Sequence, residues 1–263
     1  MKFRQLAAIL LSVVMLLTLF TSCEGFSFAE PKPKELLLLA SANMLANPYE
    51  MNIGIDMSSS NEEVNAAVSL VNGDYTAKVD GKNVAMNMSV AGVSVDYLLV
   101  DDVIYMDMYG IKVKISVNND QAGEIMGDII GTFDGSVEGF GDLDNATMTK
   151  ENGLTTITIN GVGGMINEMI DDLDDDMGTE DVGLDISVNE EKTSIVVVID
   201  AENNYKSMKV NMSLEYAYEG VEEKIGVDCV YYYTFDFSED FTITAPENAD
   251  EYITMDYDAV YGK

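Results

Sequence analysis

The sequence predicts an α+β, mostly β domain: a curved antiparallel half-barrel of about ten to twelve strands with helices packed in its concave face. Three observations predict it. Apolar and polar residues alternate with period two over most of residues 49–117 and 183–237, the signature of a sheet with one dry and one wet side. Turn-forming pairs such as Asp80-Gly81, Asp101-Asp102 and Tyr109-Gly110 recur at intervals of roughly ten residues, as in an antiparallel meander. Three segments switch to helical spacing. One sheet of that size must curl, and a curled sheet needs its concave side covered.

The elements follow in order. Residues 1–22 read as a signal peptide: Lys2 and Arg4 form a positive start, residues 6–20 are almost unbrokenly apolar, and the small Thr21 and Ser22 precede Cys23. The apolar run is shorter than the roughly 20 residues that cross a bilayer. Residues 23–34 read as a tether with two prolines, Pro31 and Pro33, and no periodicity. The folded domain is expected over 35–263. Its first helix spans 35–47 (ELLLLASANMLAN), apolar at Leu36, Leu37, Leu39, Ala40, Met44 and Leu45, and stopped by Pro48.

From 49 to 117 the chain reads as strands throughout. Val84, Met86, Met88 and Val90 share one face, as do Ile104, Met106 and Met108. Residues 118–133 return to helical period, with Ala122, Ile125, Met126, Ile129 and Ile130 on one side. A Gly/Asp loop spans 134–144. Two short strands follow, near 146–150 and 154–160. A third helix over 163–174 aligns Met165, Ile166, Met169, Ile170 and Leu173. Strands resume over 183–189, 193–200, 205–218 and 222–237. In the longest, Met208, Val210, Met212, Leu214, Tyr216 and Tyr218 share a face. A last strand-like stretch, 241–245, leads into Pro246 and a polar tail. Cys229 sits in an alternating strand and reads as a small buried apolar side chain without a disulfide partner.

Two resemblances extend this reading. Phe20-Thr21-Ser22-Cys23 resembles the bacterial lipobox, departing only in Phe20, where leucine is usual. That resemblance implies cleavage before Cys23 and acylation of its thiol with palmitate-type chains. The implied protein is a lipoprotein anchored on the extracytoplasmic face of the cell membrane. Each buried methylene contributes about 0.8 kcal/mol, so two or more chains anchor stably. The order of helix, meander, helices, meander and the closing ITAPENADEY segment (243–252) resembles the LolA/LolB and LppX/LprG superfamily of lipoprotein and lipid carriers. So does the tyrosine, glycine and lysine hairpin IYMDMYGIKVKI (104–115). The resemblance implies an apolar cavity that holds a lipid or other hydrophobic molecule.

Composition narrows the chemistry. The net charge of −33, from 47 acidic and 14 basic residues, disfavours nucleic acid as a partner. The absence of His removes Ser-His-Asp and Cys-His pairs, His-ligated zinc and His-held haem. No catalytic constellation remains, and neither enzyme activity nor a cofactor is expected. The candidate ligand-binding residues are the flexible thioethers of Met86, Met88, Met106, Met108, Met126, Met165, Met169, Met208 and Met212, which adapt to varied apolar shapes. Soft-metal capture by these methionines is not expected, because no cysteine or histidine joins them. The run Asp171-Asp172-Leu173-Asp174-Asp175-Asp176 has the alternation of a calcium loop. It lacks the loop's glycine, with Met177 in place, and its terminal glutamate, with Gly183 in place; a solvated helix end fits it better. Gly161-Val162-Gly163-Gly164 opens a helix without a following Lys and in acidic surroundings, so no phosphate site is expected there. A closed scaffold that binds nothing is the alternative reading.

Overall fold

The computed structural model describes residues 31–70, 72–90, 93–118, 121–122, 143, 146–163, 184–218, 224–238 and 240–257. The signal peptide, Cys23, most of the tether, Met126, Met165, Met169 and the acidic run at 171–176 lie outside the described residues. So do most of the helices expected over 118–133 and 163–174. The chain divides at residue 32, and the architecture below is that of the unit Pro33–Lys263.

Helix α1 (Pro33–Ala46) opens the unit. Pro33 suits the first turn, where its missing N–H is no loss, and Glu35 there complements the helix dipole. Leu36, Leu37, Ala40, Ser41 and Met44 are buried, the spacing of one helical face. Leu38, Leu39 and Leu45 of the same dense apolar run stay exposed.

Strand β1 (Tyr49–Ser59) is followed by α2 (Glu62–Val68), which corrects the all-strand expectation for 49–117. Asn61 caps α2: its side-chain oxygen accepts from the Glu63 and Val64 amides, both at 3.1 Å. Glu62 and Glu63 reinforce the start electrostatically. None of its residues is buried, so it carries no apolar period for a sequence reading to detect.

A meander follows: β2 (Gly73–Asp80), β3 (Asn83–Val90), β4 (Val93–Val100), β5 (Val103–Met108) and β6 (Ile111–Ser116). Its tight turns need left-handed backbone at Asp101 and Asp102 and again at Tyr109 and Gly110, which is why these short connections hold Asp and Gly. Next come β7 (Thr147–Glu151), β8 (Leu154–Asn160), β9 (Leu184–Val188), β10 (Ser194–Ile199), β11 (Tyr205–Tyr218) and β12 (Ile225–Asp236).

With β13 (Ile253–Met255) they pair in one 13-stranded sheet of order β13-β6-β5-β4-β3-β2-β1-β12-β11-β10-β8-β7, with β9 also on β11. The sheet is open. β1 joins the two meanders, pairing antiparallel with β2 on one side and β12 on the other. The expected strand at 241–245 does not form. Instead the chain beyond Pro246 makes a short 3-10 turn at Ala249–Glu251 and β13 (Ile253–Met255), which pairs parallel with β6. The polar tail is thus part of the fold.

The face beneath α1, here the inner face, carries the core. Cross-strand registration lines up Val113, Met106, Tyr97, Met86, Ala77, Met51 and Phe235 from β6 through to β12. A second row, Ile53, Tyr233, Met208, Val197, Ile157 and Met148, runs from β1 to β7. Such directly opposed apolar pairs are the unit of sheet stabilisation.

Candidate functional site

Two regions could hold a ligand, one on each face of the sheet. On the inner face, Met86 and Met208 are fully packed, at 4% and 2% exposure, as core filler would be. Met88, Met106 and Met212 are half-buried on the same face, packed against the core with Ile55, Val210 and Leu214. Registration brings Met86 and Met106 to either side of Tyr97 and sets Met208 in the other half of the sheet. Met108, at the end of β5, is 44% exposed.

Cover for this face comes from α1. The Tyr205 hydroxyl donates to the Leu37 carbonyl at 3.2 Å and lies 2.9 Å from the Ser41 hydroxyl, so a polar stitch sits inside the apolar contact. The Asn43 amide donates to the carbonyls of Glu202 and Asn203, tying the helix to the β10–β11 turn. Burial pushes the Tyr205 phenol up to about 12, against the hydrogen bond from Ser41, which lowers it. Tyr49 and Tyr233 are likewise pushed up to about 12 by burial.

Cys229 lies on the inner face of β12 with 1% exposure and a free thiol. Burial, then the nearby Asp228 carboxylate, pushes that thiol up to about 11. A thiol so held is inert as a nucleophile at neutral pH.

The outer face holds a cavity of about 380 Å³, lined by Lys78, Asn87, Asp96, Tyr105 and Tyr252 among others. Its roof is the C-terminal segment. The Tyr105 and Tyr252 rings meet edge to face with centroids 5.2 Å apart. The Lys112 ammonium pairs with Glu251 at 2.8 Å and sits over the Tyr252 ring. Lys114 donates to the Ala249 carbonyl at 2.9 Å, and Lys78 lies 5.3 Å from the Phe241 ring centre while pairing with Glu50. Asn87 donates to Asp96 at 2.6 Å on the cavity wall. Ala85, Leu98 and Pro246 complete the lining, so the cavity is apolar over most of its wall, with a few polar groups set into it. Sequence reasoning did not find this cavity. Its only trace was the alternation of Lys112 and Lys114 on the polar side of a strand.

Among the described residues, no group of three or more His, Cys, Asp or Glu side chains is placed to hold a metal ion. No helix among them is long and apolar enough to cross a membrane. No family model matches the chain, and no curated protein matches it.

Proposed function

We propose that this protein is a membrane-anchored extracytoplasmic lipoprotein, acylated at Cys23, that holds a lipid or another apolar molecule against the inner face of its sheet. The reading takes the curved half-barrel with helices in its mouth as the working architecture. It assigns the protein no enzymatic role. One observation carries it: beside its tightly packed members the inner face carries half-buried apolar residues, Ile55, Met88, Met106, Val210, Met212 and Leu214. Adaptable side chains that are partly exposed on a continuous apolar face are what a variable hydrophobic ligand needs.

A second reading, a closed scaffold without a ligand, is favoured by the density of the centre. Leu37, Ala40, Val84, Ile104, Ile157 and Tyr205 have no exposed surface there. Native mass spectrometry of protein extracted from membranes separates the two. Apolar adducts beyond the mass of the acylated chain support the ligand-holding reading. A single mass equal to the acylated chain supports the scaffold. A mass lacking acyl chains, in a chain that partitions to the aqueous phase, overturns the anchor at Cys23.

A further inference from the structure

The strand register places three sulfur-bearing residues side by side. Cys229 on β12 stands opposite Met57 on β1 and, on its other flank, opposite Met212 on β11. Directly opposed residues have Cβ atoms about 4.5–5.5 Å apart on one face of a sheet, within reach of a flexible thioether leaning toward a central thiol. The register thus sets a cysteine beside Met212, one of the methionines singled out in the sequence.

The row is held in place from three directions. The Met57 amide donates to the Asn72 side chain at 2.6 Å, and Asn72 donates back to the Met57 carbonyl at 3.0 Å. This clamps β1 just beyond its last pair with β2, Ile55 opposite Gly73. The Ser213 hydroxyl bonds Asp228 at 2.7 Å, locking β11 to β12 one residue from both Met212 and Cys229. The Ser59 hydroxyl donates to the Gly226 carbonyl at 2.7 Å, fixing β1 against β12 at the other end. Cys229 is buried, whereas Met57 and Met212 on its two flanks are half-buried.

We propose that Met57, Cys229 and Met212 form a binding site for a monovalent soft metal ion, copper(I). Two thioethers and one thiol are a donor set that soft ions accept; calcium and magnesium need oxygen donors, and zinc, though it takes thiolate, completes a tetrahedral site with further thiolate or imidazole, which the row does not offer. Binding replaces the S–H bond of Cys229 with an S–Cu bond and releases one proton, with no change in oxidation state of either partner. The site shares Met212 with the half-buried apolar residues of the inner face, but it needs neither an acyl anchor nor a lipid.

The test is anaerobic competition for copper(I) between bathocuproine disulfonate and the full chain carrying Cys23→Ser, which leaves Cys229 as the one thiol. The parent is expected to withdraw one equivalent of copper(I), release one proton per ion and show an X-ray absorption spectrum with sulfur ligands alone. Cys229→Val, which keeps an apolar side chain of similar size, abolishes the competition. Met57→Leu and Met212→Leu each weaken it by about tenfold or more while leaving the circular dichroism spectrum intact. A parent that leaves all copper with the chelator overturns the site. So does nitrogen or oxygen in the metal's ligand shell. So does a Met57→Leu/Met212→Leu double variant that competes as well as the parent.

Discussion

Ile104 and Tyr105 are neighbours on β5 and belong to two different environments. Ile104 has no exposed surface and sits in the inner-face core with Val84, Leu99 and Ile115. Tyr105 points the other way, into an outer cluster whose other buried members, among the described residues, are Val100 and Ile243. The inner face is held by area: rows of apolar side chains from β6 to β7, with α1 laid across part of them. The outer face offers little area, and its covering segment is placed by particular contacts from Lys78, Lys112 and Lys114. Three of the chain's 14 basic residues meet this segment, at the Phe241 ring, the Ala249 carbonyl and the Glu251 carboxylate. Burial is non-directional and fixes a face; charge and hydrogen bonds fix a position upon it.

Alkali should expose this difference most strongly. The inner-face phenols of Tyr49, Tyr205 and Tyr233 are held near 12, above the ordinary value of 10.0. A folded value above the unfolded one means that the stabilisation is full below pH 10 and is lost as pH rises toward 12. Each phenol then contributes a slope of about 1.4 kcal/mol per pH unit, and the three together about 4. Urea midpoints measured from pH 9 to 12 should fall accordingly, and Tyr233→Phe should remove about a third of the slope. A midpoint that stays level through pH 11.5 contradicts the burial of these rings.

Truncation should separate the faces next. Ile104→Ala opens a void in a closed core and should cost about 3–4 kcal/mol in global stability. Tyr105→Ala removes a larger side chain from a thin cluster that borders a cavity. It should cost about 2 kcal/mol while opening 241–257 to proteolysis. Equal global losses, with the C-terminal segment still protected in Tyr105→Ala, would mean that the outer cluster is a second full core.

The division into faces was legible in the sequence where burial repeats with period two. The alternation at Val84, Met86 and Met88 and at Met208, Val210 and Met212 is a direct imprint of a one-sided core, and the strands are there. What was illegible has physical causes. Helix α2 buries nothing, so only its Asn61 cap marks it. Residues 246–257 attach through lysines and ring edges, which leave no apolar period. Tyr105 reads as a wet-side residue because alternation assigns it opposite Ile104; only the returning segment makes that side dry. The pairing of Cys229 with Met57 and Met212 depends on register between strands distant in sequence, which no local pattern encodes.

The smallest expected effect bears on the Lys112–Glu251 pair. Lys112, through its hydrogen bond first, then Asn248, holds the Glu251 carboxyl below its ordinary 4.5; in return Glu251 raises Lys112 above its ordinary 10.5. Glu251 has a lowered folded value, so its contribution is present above pH 4.5 and is lost as pH falls through that lowered value. Lys112 has a raised one, so its contribution is present below pH 10.5 and is lost above. Both groups are solvent-screened, and salt should weaken them. The global urea midpoint should therefore barely change in Lys112→Gln, while the position of the segment should. The Tyr252 ring resonances, followed by NMR on tyrosine-labelled protein, should shift as pH drops below 4.5 or as salt rises. In Lys112→Gln they should start displaced and respond to neither. Matching profiles in the two proteins would transfer the anchoring of this segment to the Tyr105–Tyr252 contact and the Lys114 hydrogen bond. The outer face would then be held, like the inner one, mainly by packing.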